Sequence, residues 1–224
     1  MNNIYEKIDL FDSDEISIIK KLLLKKINSF RTNKISTIED IHLYLNDEDE
    51  LLKNKANRIL SLDEIEEFQK LNGFIKLKQK FSNFEIGESV VDNKKLGYPE
   101  VYFRVVRPNK INDVGSIHAD NWYHILADLK YHKGETYKVW ISIVSEPNKN
   151  GLIFYPNSVN IDTKFEYINN KFIINEKIKD EKIMPAISPG QAFIFNDTIL
   201  HQGSINNADT SRCSIEITFV PKSI

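Results

Sequence analysis

The sequence has little of several features that define large classes of protein. Cys213 is the single cysteine among 224 residues, so an internal disulfide is excluded. No apolar run approaches the roughly 18 residues that a membrane-spanning helix needs. The 30 basic and 32 acidic residues nearly cancel, and a net charge of -2 gives no electrostatic reason to expect nucleic acid or an anionic membrane as a partner. We therefore expect a small-molecule partner.

The N-terminal segment MNNIYEKIDLFDSDE is too acidic and polar for a secretory signal peptide. Together with the single cysteine, it predicts a cytoplasmic protein in a reducing compartment. The length fits one domain with a substantial hydrophobic core. We expect residues 1–224 to form this single domain, with a mainly helical N-terminal part at 1–98 and a β-rich core at 99–224.

The first third of the chain has the pattern of amphipathic helices. In SDEISIIKKLLLKKINSF, apolar residues recur close to a 3.6-residue period behind Ser13 and Asp14, which are predicted as caps. SLDEIEEFQKLNGF begins with the capping-box spacing of Ser61 and Glu64 and ends with Asn72-Gly73, which is predicted to stop the helix. The charged segment between the two is predicted to be helical in part.

From about residue 99 the apolar period changes to two, which indicates β-strands. A two-residue turn at Asn169-Asn170 predicts a hairpin, and a Pro-Gly turn precedes another apolar strand. Seven or eight short strands behind a helical third predict a mainly β fold, a double-stranded β-helix or jelly roll with the N-terminal helices packed on one sheet. An immunoglobulin-like sandwich is the alternative. The predicted strands lie in segments that alternate, are rich in β-branched and aromatic residues, or are short apolar runs: EVYFRVVRP, YKVWISIVS, GLIFYPNS, KFEYINNKFIIN, SPGQAFIFN and RCSIEITFVP.

Two of the 5 histidines occur in the short segment SIHADNWYH. If it is extended, His118 and Asp120 point to one face, as two metal ligands from one strand would. A surface His–Asp pair in a loop is the alternative. A metal site needs a further ligand from a distant strand, and the candidate is His201 in FNDTILHQGSINN. A His-x-Asp pair with a remote histidine is the facial triad that holds non-haem Fe(II).

Arginine and serine side chains near this triad could bind a carboxylate. Arg212 opens the last predicted strand and shares a face with Ser214, and a guanidinium with a hydroxyl two residues on suits a carboxylate ligand. The alternative is a surface arginine paired with Glu216 or Asp209. Arg104, on the strand that leads to the His-x-Asp segment, is a candidate to meet a 2-oxoacid or an anionic substrate, and a surface ion pair is equally open.

Four segments together resemble the phytanoyl-CoA dioxygenase-like family of Fe(II)- and 2-oxoglutarate-dependent oxygenases. The segments are HADNWY, VWISIVSEPNKNGLIFYPNS, SPGQAFIFNDTILHQGSINNADTSR and SIEITFV, and they occur in the family's order over roughly residues 100 to 220. The resemblance implies a double-stranded β-helix core. It also implies a hydroxylase that uses Fe(II), 2-oxoglutarate and O2 on a small-molecule metabolite and releases succinate and carbon dioxide.

The resemblance assigns roles to residues of this sequence. It implies that Arg212 binds the distal carboxylate of 2-oxoglutarate with help from Ser214, and that Trp140 is an aromatic residue of the same pocket. It implies that iron is bound by His118, Asp120 and His201. Arg104 stays a candidate for the cosubstrate on its strand position alone.

Two other function classes remain open at this stage. A cupin-type metal enzyme could use the same metal ligands without 2-oxoglutarate, but it would have no need of Arg212 and Ser214. A non-catalytic jelly-roll binding module would need no metal. A coenzyme A substrate is disfavoured because no basic stretch is present to hold a nucleotide phosphate. The loops NDVGS, at 112–116, and ADLKYHKGETYK, at 127–138, are candidate lids over the pocket.

Overall fold

The computed structural model describes residues 4–91, 94–126, 136–158, 163–169, 171–174, 178 and 181–222, and within them it has twelve strands and five α-helices. The helices are α1 Ser13–Ser29, α2 Glu50–Lys53, α3 Leu62–Gln69, α4 Asn72–Lys80 and α5 Asn121–Leu126. The strands are β1 Tyr5–Asp9, β2 Phe84–Ile86, β3 Glu88–Val91, β4 Lys94–Pro99, β5 Val101–Val106, β6 Tyr137–Val144, β7 Leu152–Phe154, β8 Phe165–Ile168, β9 Lys171–Ile174, β10 Gln191–Asn196, β11 His201–Gly203 and β12 Arg212–Pro221. None of the helices in the described part of the chain is long and apolar enough to span a bilayer.

Helix α1 is capped by Asp12, so the prediction of Ser13 or Asp14 as its cap is wrong. The Asp12 carboxylate accepts hydrogen bonds from the backbone N–H groups of Asp14 and Glu15, and the Glu15 side chain accepts one from the Asp12 N–H. This reciprocal arrangement is a capping box. An acid one position earlier satisfies two otherwise unpaired N–H groups, which is why the helix begins there.

The predicted helix stop at Asn72-Gly73 is also wrong, because α3 ends at Gln69 and α4 begins at Asn72. A Cβ atom at Gly73 would lie 2.4 Å from the carbonyl oxygen of Leu10 and 2.4 Å from the Phe11 ring. The glycine therefore allows α4 to pack directly against the segment between β1 and α1. The capping box of Ser61 and Glu64, by contrast, is present as predicted.

The largest sheet has the antiparallel order β1-β10-β6-β12-β2, and β5 also pairs with β12. Four of the strands, β1 to β4, lie in the part that was expected to be mainly helical. The predicted hairpin is confirmed: β8 pairs with β9 in the register Ile168↔Lys171, and Asn169 has a φ of 51° that suits a tight turn. The second residue of that turn lies outside the described residues.

The two faces of the large sheet bury different side chains. On the outer face, strand residues such as Phe103, Ile141 and Ile215 join the N-terminal helices in the main hydrophobic core. On the inner face, aromatic residues of β6 and β10 pack with Leu152 and Phe154 of β7, so the small β7–β11 sheet covers this side. Among the polar side chains of the inner face, Arg212 and Ser214 are buried, whereas Arg104, Lys138 and Glu216 are partly exposed. The architecture is mainly β, with helices packed on one sheet as expected.

Candidate metal centre

His118, Asp120 and His201 converge at the inner face of the large sheet. Each offers one ligand atom, and these atoms lie within 4.8 Å of one another. The Nε2 atom of each histidine is 3.8 Å from a different carboxylate oxygen of Asp120. All three residues are buried. Two imidazoles and one carboxylate in this arrangement can hold a divalent metal ion on one face of its coordination sphere.

A short backbone bridge brings the distant ligands together. The N–H of His118 donates to the carbonyl oxygen of His201 at 3.0 Å, and the reverse bond is 2.9 Å. The chain then turns, and α5 begins directly after Asp120. Among the residues of this segment only His118 pairs with another strand, and a turn at Asp120, rather than a continued strand, leads into α5.

Both histidine rings are oriented by a hydrogen bond to the backbone carbonyl oxygen two residues earlier in the chain. The Nδ1 atom of His118 lies 2.8 Å from the carbonyl oxygen of Ser116, and that of His201 lies 3.0 Å from the carbonyl oxygen of Ile199. A carbonyl can only accept, so Nδ1 carries the proton in each ring and donates it. Nε2 is left as a lone-pair donor that faces the other ligands.

The buried setting favours neutral imidazole at His118. Burial and the neighbouring His201 ring lower the pKa of His118 to about 3, although the Asp120 carboxylate acts in the opposite direction. Neutral imidazole is the form that binds a metal ion. At physiological pH no proton therefore has to leave this ring before a metal can bind.

Arg212 and two neighbours present polar atoms to the same interior without protein partners. Arg212 is 1% exposed, so it is not the surface arginine of the alternative interpretation. Its Nη1 donates to the carbonyl oxygens of Gly151 and Ser204. Within the described residues, the Nε of Arg212, the Oγ of Ser214 and the Nε1 of Trp140 are buried and have no hydrogen-bond partner.

Such unpaired buried donors are uncommon because each loses its bonds to water. Burial and the nearby Arg104 lower the pKa of Arg212 to about 10, which still leaves it charged at neutral pH. A carboxylate ligand would supply acceptors for donors of this kind, the guanidinium above all. The donors present therefore fit an organic acid.

Gly203, two residues after His201, leaves the space that the Arg212 guanidinium occupies. A Cβ atom at this position would lie 3.1 Å from Nη2 and 3.4 Å from Nη1 of Arg212. The His-x-Gly spacing therefore links one metal ligand to the position of the arginine. We expected the histidine to matter from the sequence, whereas the role of the glycine is visible only in the structure.

Lys138, Glu216 and Arg104 form a group of charges next to the metal ligands. The Lys138 Nζ is 3.6 Å from Asp120 Oδ1 and 4.0 Å from Glu216 Oε2. Burial lowers the pKa of Lys138, but the charges of Asp120 and Glu216 outweigh it, and the net shift is upward. Arg104 donates a hydrogen bond to the backbone carbonyl oxygen of Asp113 at 3.3 Å. This bond differs from the surface ion pair that was the alternative expectation for Arg104.

The sequence analysis gave Lys138 no role in the site and named Glu216 only as a possible surface partner of Arg212. The available signal was a lysine and a glutamate on apolar strands, on the same faces as Trp140 and Arg212 respectively. Of the candidate lids, 112–116 is described and supplies the Ser116 carbonyl that orients His118, whereas most of 127–138 lies outside the described residues. Trp122 is 5% exposed and stacks on Phe165 at 4.4 Å, so it packs beneath the β8–β9 hairpin.

Comparisons with known proteins support the fold. No protein-family model matches the sequence, and no curated protein matches it. EvdO2 from Micromonospora carbonacea var. aurantiaca, complexed with 2-oxoglutarate, has a similar structure, with a TM-score of 0.65 at 11% identity over 99% of this chain and 88% of that one. The non-heme monooxygenase ThoJ gives 0.60 at 11% identity, over 97% of this chain and 74% of that one.

SnoN, described as a non-heme alpha ketoglutarate dependent epimerase from nogalamycin biosynthesis, is similar as well. Its complex with Fe3+, alpha ketoglutarate and nogalamycin RO has a TM-score of 0.53 at 12% identity, over 97% of this chain and 79% of that one. At these identities the likeness concerns the fold. The prediction of a jelly-roll core with helices on one sheet is confirmed.

Proposed function

We propose that the chain is an Fe(II)- and 2-oxoglutarate-dependent dioxygenase that hydroxylates a small-molecule metabolite, of the kind found in the phytanoyl-CoA dioxygenase-like family. One observation carries the proposal. A buried two-histidine, one-carboxylate donor set shares the sheet interior with a buried arginine, a serine and a tryptophan whose polar atoms lack partners. The structural neighbours that hold 2-oxoglutarate or Fe3+ support it.

His118, Asp120 and His201 would hold the iron. When bound, iron together with 2-oxoglutarate and O2 supplies the oxidising chemistry, with succinate and carbon dioxide as co-products. The protein contributes orientation. The Nδ1–H bonds fix both rings with Nε2 facing inward, and the His118–His201 backbone bridge fixes the distance between the two strands. Burial keeps water from the site.

Arg212 would bind the distal carboxylate of 2-oxoglutarate. The Gly151 and Ser204 carbonyl oxygens hold one edge of the guanidinium, which leaves Nε for the ligand. The Ser214 hydroxyl lies two residues along the same strand face, and the Trp140 ring is 5.8 Å from the guanidinium carbon. Arg104, opposite Ser214 in the β5–β12 pairing, is the next candidate for this carboxylate. A cupin-type enzyme without the cosubstrate would have no use for these donors.

The same proposal covers the broader expectations. Residues 1–224 act as one oxygenase domain, in which 1–98 supplies the helices on the outer face together with strands β1 and β2, and 99–224 carries the site. The protein works in the cytoplasm on a small molecule, with neither nucleic acid nor a membrane as partner.

The proposal is tested by optical spectroscopy under anaerobic conditions. Protein mixed with Fe(II) and 2-oxoglutarate should show a visible metal-to-ligand charge-transfer band, because three protein ligands leave adjacent positions for a chelating 2-oxoacid. His201→Ala should abolish the band. His42→Ala is the matched control, because His42 bonds to Ser211 outside the candidate centre. No band in the unmodified protein, or an unchanged band in His201→Ala, would contradict the proposal.

Arg212→Lys tests the cosubstrate site separately. A point charge cannot reproduce the fork of the guanidinium, so we expect 2-oxoglutarate to bind more weakly by about 1.5 to 3 kcal/mol while iron still binds. Titration of the charge-transfer band gives the affinity. If the affinity is the same as in the unmodified protein, Arg212 does not bind the 2-oxoacid, and Arg104→Lys is then the variant to measure.

A further inference from the structure

Lys138 is an enclosed ammonium group with no hydrogen bond in the described part of the chain. Its side chain is 12% exposed. The nearest acidic oxygens, on Asp120 and Glu216, are 3.6 and 4.0 Å away, beyond hydrogen-bond length. Its three N–H donors therefore have no protein acceptor at hydrogen-bond distance among the described residues. A lysine this well enclosed normally has a bonded partner.

Glu216 stands between Lys138 and Arg104 on the inner face of the sheet. In the strand register, Lys138 of β6 is opposite Thr218 and Arg104 of β5 is opposite Ser214, so each cation is a diagonal neighbour of Glu216 on the central strand β12. One carboxylate is thus shared by two cations. The nearby Asp113 acts on Arg104 only weakly, because its carboxylate is bound by Arg107, which also binds Asp47.

Among the described residues, the charged side chains next to the metal ligands do not balance. The group comprises three cations, Arg104, Lys138 and Arg212, and two anions, Asp120 and Glu216. Glu100, whose charge also acts on Lys138, is paired with Lys55. One positive charge is therefore left within the described part of the chain. A divalent metal raises the excess to three, and the two carboxylates of 2-oxoglutarate return it to one. An enclosed site with one uncompensated positive charge favours an anionic ligand.

Resting on the proposed function, we propose that the substrate carries one net negative charge, as a carboxylate or an equivalent monoanionic group, and that Lys138 binds this group beside the metal. Arg104 contributes to the same positive field from the opposite side of Glu216. The 3.6 Å contact with Asp120 places the bound anion next to the metal ligands. The site therefore selects acids over neutral molecules of the same shape.

A metal ion held by Asp120 would weaken the attraction of that carboxylate for the Lys138 ammonium group. Glu216 would remain 4.0 Å away as the second acidic neighbour. The N–H groups of Lys138 would then be available to an anionic ligand.

The test uses trifluoroacetate as the monoanionic probe and trifluoroethanol as its neutral counterpart. The protein is loaded with Mn(II) and saturated with N-oxalylglycine, an unreactive analogue of 2-oxoglutarate, and the paramagnetic relaxation of each probe is measured by 19F NMR. Protein loaded with Zn(II) gives the diamagnetic baseline. Trifluoroacetate should show a saturable relaxation enhancement at least fivefold larger than that of trifluoroethanol.

Lys138→Met and Glu216→Gln should have opposite effects on trifluoroacetate. Lys138→Met should lower the relaxation enhancement at least fivefold, whereas Lys138→Arg should retain it. Glu216→Gln removes a negative charge, so it should tighten trifluoroacetate binding at least twofold. A merely structural role would weaken binding in both Lys138→Met and Glu216→Gln. Lys78→Met, at an exposed position on α4, is the matched control and should leave the enhancement unchanged.

Equal enhancement for the two probes, or an unchanged value in Lys138→Met, would overturn the inference. The latter result would mean that the anion simply coordinates the metal. If Lys138→Met does not fold, the other two variants still test the inference: loss of the enhancement in Lys138→Arg together with weaker binding in Glu216→Gln would contradict it. Binding of Mn(II) and N-oxalylglycine is measured first by calorimetry: its failure counts against the proposed function, whereas failure of trifluoroacetate with both bound counts against the anion site alone.

Discussion

At the scale of single residues, Gly203 connects the metal ligand His201 to the arginine that would hold the cosubstrate. We expect Gly203→Ala to push the Arg212 guanidinium away, because the added Cβ would lie 3.1 Å from Nη2. Affinity for 2-oxoglutarate should fall about tenfold, the scale of one weakened charged hydrogen bond. Titration of the charge-transfer band measures the change.

Iron affinity should survive in Gly203→Ala, since the His201 imidazole is oriented by the Ile199 carbonyl rather than by the glycine. Gly87→Ala is a suitable control, because a Cβ there would meet Val220 at 3.5 Å, an ordinary contact. Equal cosubstrate affinity in the two variants would show that Arg212 has room to adjust.

Asn206 fixes the loop between His201 and Arg212. Its amide donates to the carbonyl oxygens of Val106 and Thr210, and its oxygen accepts from Asn150 and from the N–H of Ala208. All four hydrogen-bonding positions of a fully buried amide are used. The side chain therefore holds together three separate parts of the chain.

We expect Asn206→Ala to lower the free energy of unfolding by about 3 kcal/mol, because buried donors and acceptors lose their partner. Urea denaturation measures this loss. The adjacent Asn207 is exposed, and Asn207→Ala should change stability by no more than about 0.5 kcal/mol. Similar losses in the two variants would remove Asn206 from this role.

At the scale of elements, the turn before β10 ties the N-terminal segment to the sheet. Gly190 has a φ of 88°, and its carbonyl oxygen accepts hydrogen bonds from the N–H groups of Leu10 and Phe11. A Cβ at Gly190 would lie 2.3 Å from the Phe11 carbonyl oxygen. Only glycine fits both the left-handed backbone and this close approach.

Gly190→Ala should therefore destabilise the protein by more than about 2 kcal/mol, through backbone strain and a steric clash together. Gly97→Ala separates the two effects, because Gly97 has a φ of 78° with nothing near its Cβ position. The difference in melting temperature between the variants reports the clash. Equal shifts would mean that the β1–α1 segment moves aside without cost.

The strands that the sequence predicted have a local signal, either an alternation of apolar and polar residues or a short apolar run next to a turn. β5 and β12 alternate between the hydrophobic core and the inner face, and that alternation is visible in the residue order. β1, with the sequence YEKID, was missed because only its pairing with β10, at the other end of the chain, defines it. Tertiary contacts of this kind leave no local pattern.

The candidate metal ligands could be located from the sequence because their spacing is characteristic, and the structure brings them together. Lys138 could not, since a single charged residue in YKVWISIV resembles one that faces solvent. The role of Lys138 in the site depends on its proximity to Asp120 and Glu216, which come from other parts of the chain. Charge balance in an enclosed site is a property of the fold rather than of any segment.

At the scale of the whole molecule, ligands should stabilise the folded protein because they relieve the unpaired charges and donors of the interior. At a concentration 100 times the dissociation constant, metal and N-oxalylglycine together should add about 2.7 kcal/mol for each independent binding step. Thermal unfolding with and without a chelator measures the effect. His201→Ala should not be stabilised by these ligands. If metal and N-oxalylglycine leave the melting temperature of the unmodified protein unchanged, the site is not preformed.

The position of β12 has a consequence for how the chain acquires this structure. Among the described strands it comes after all the others in sequence, yet it lies between β5 and β6 and also pairs with β2. While β12 is not yet in place, β5 lacks its partner strand and β6 has an exposed edge. Exposed strand edges of this kind promote aggregation with other chains. The pairings of β12 with β2, β5 and β6 join segments that are distant in sequence, and contacts of this kind slow folding.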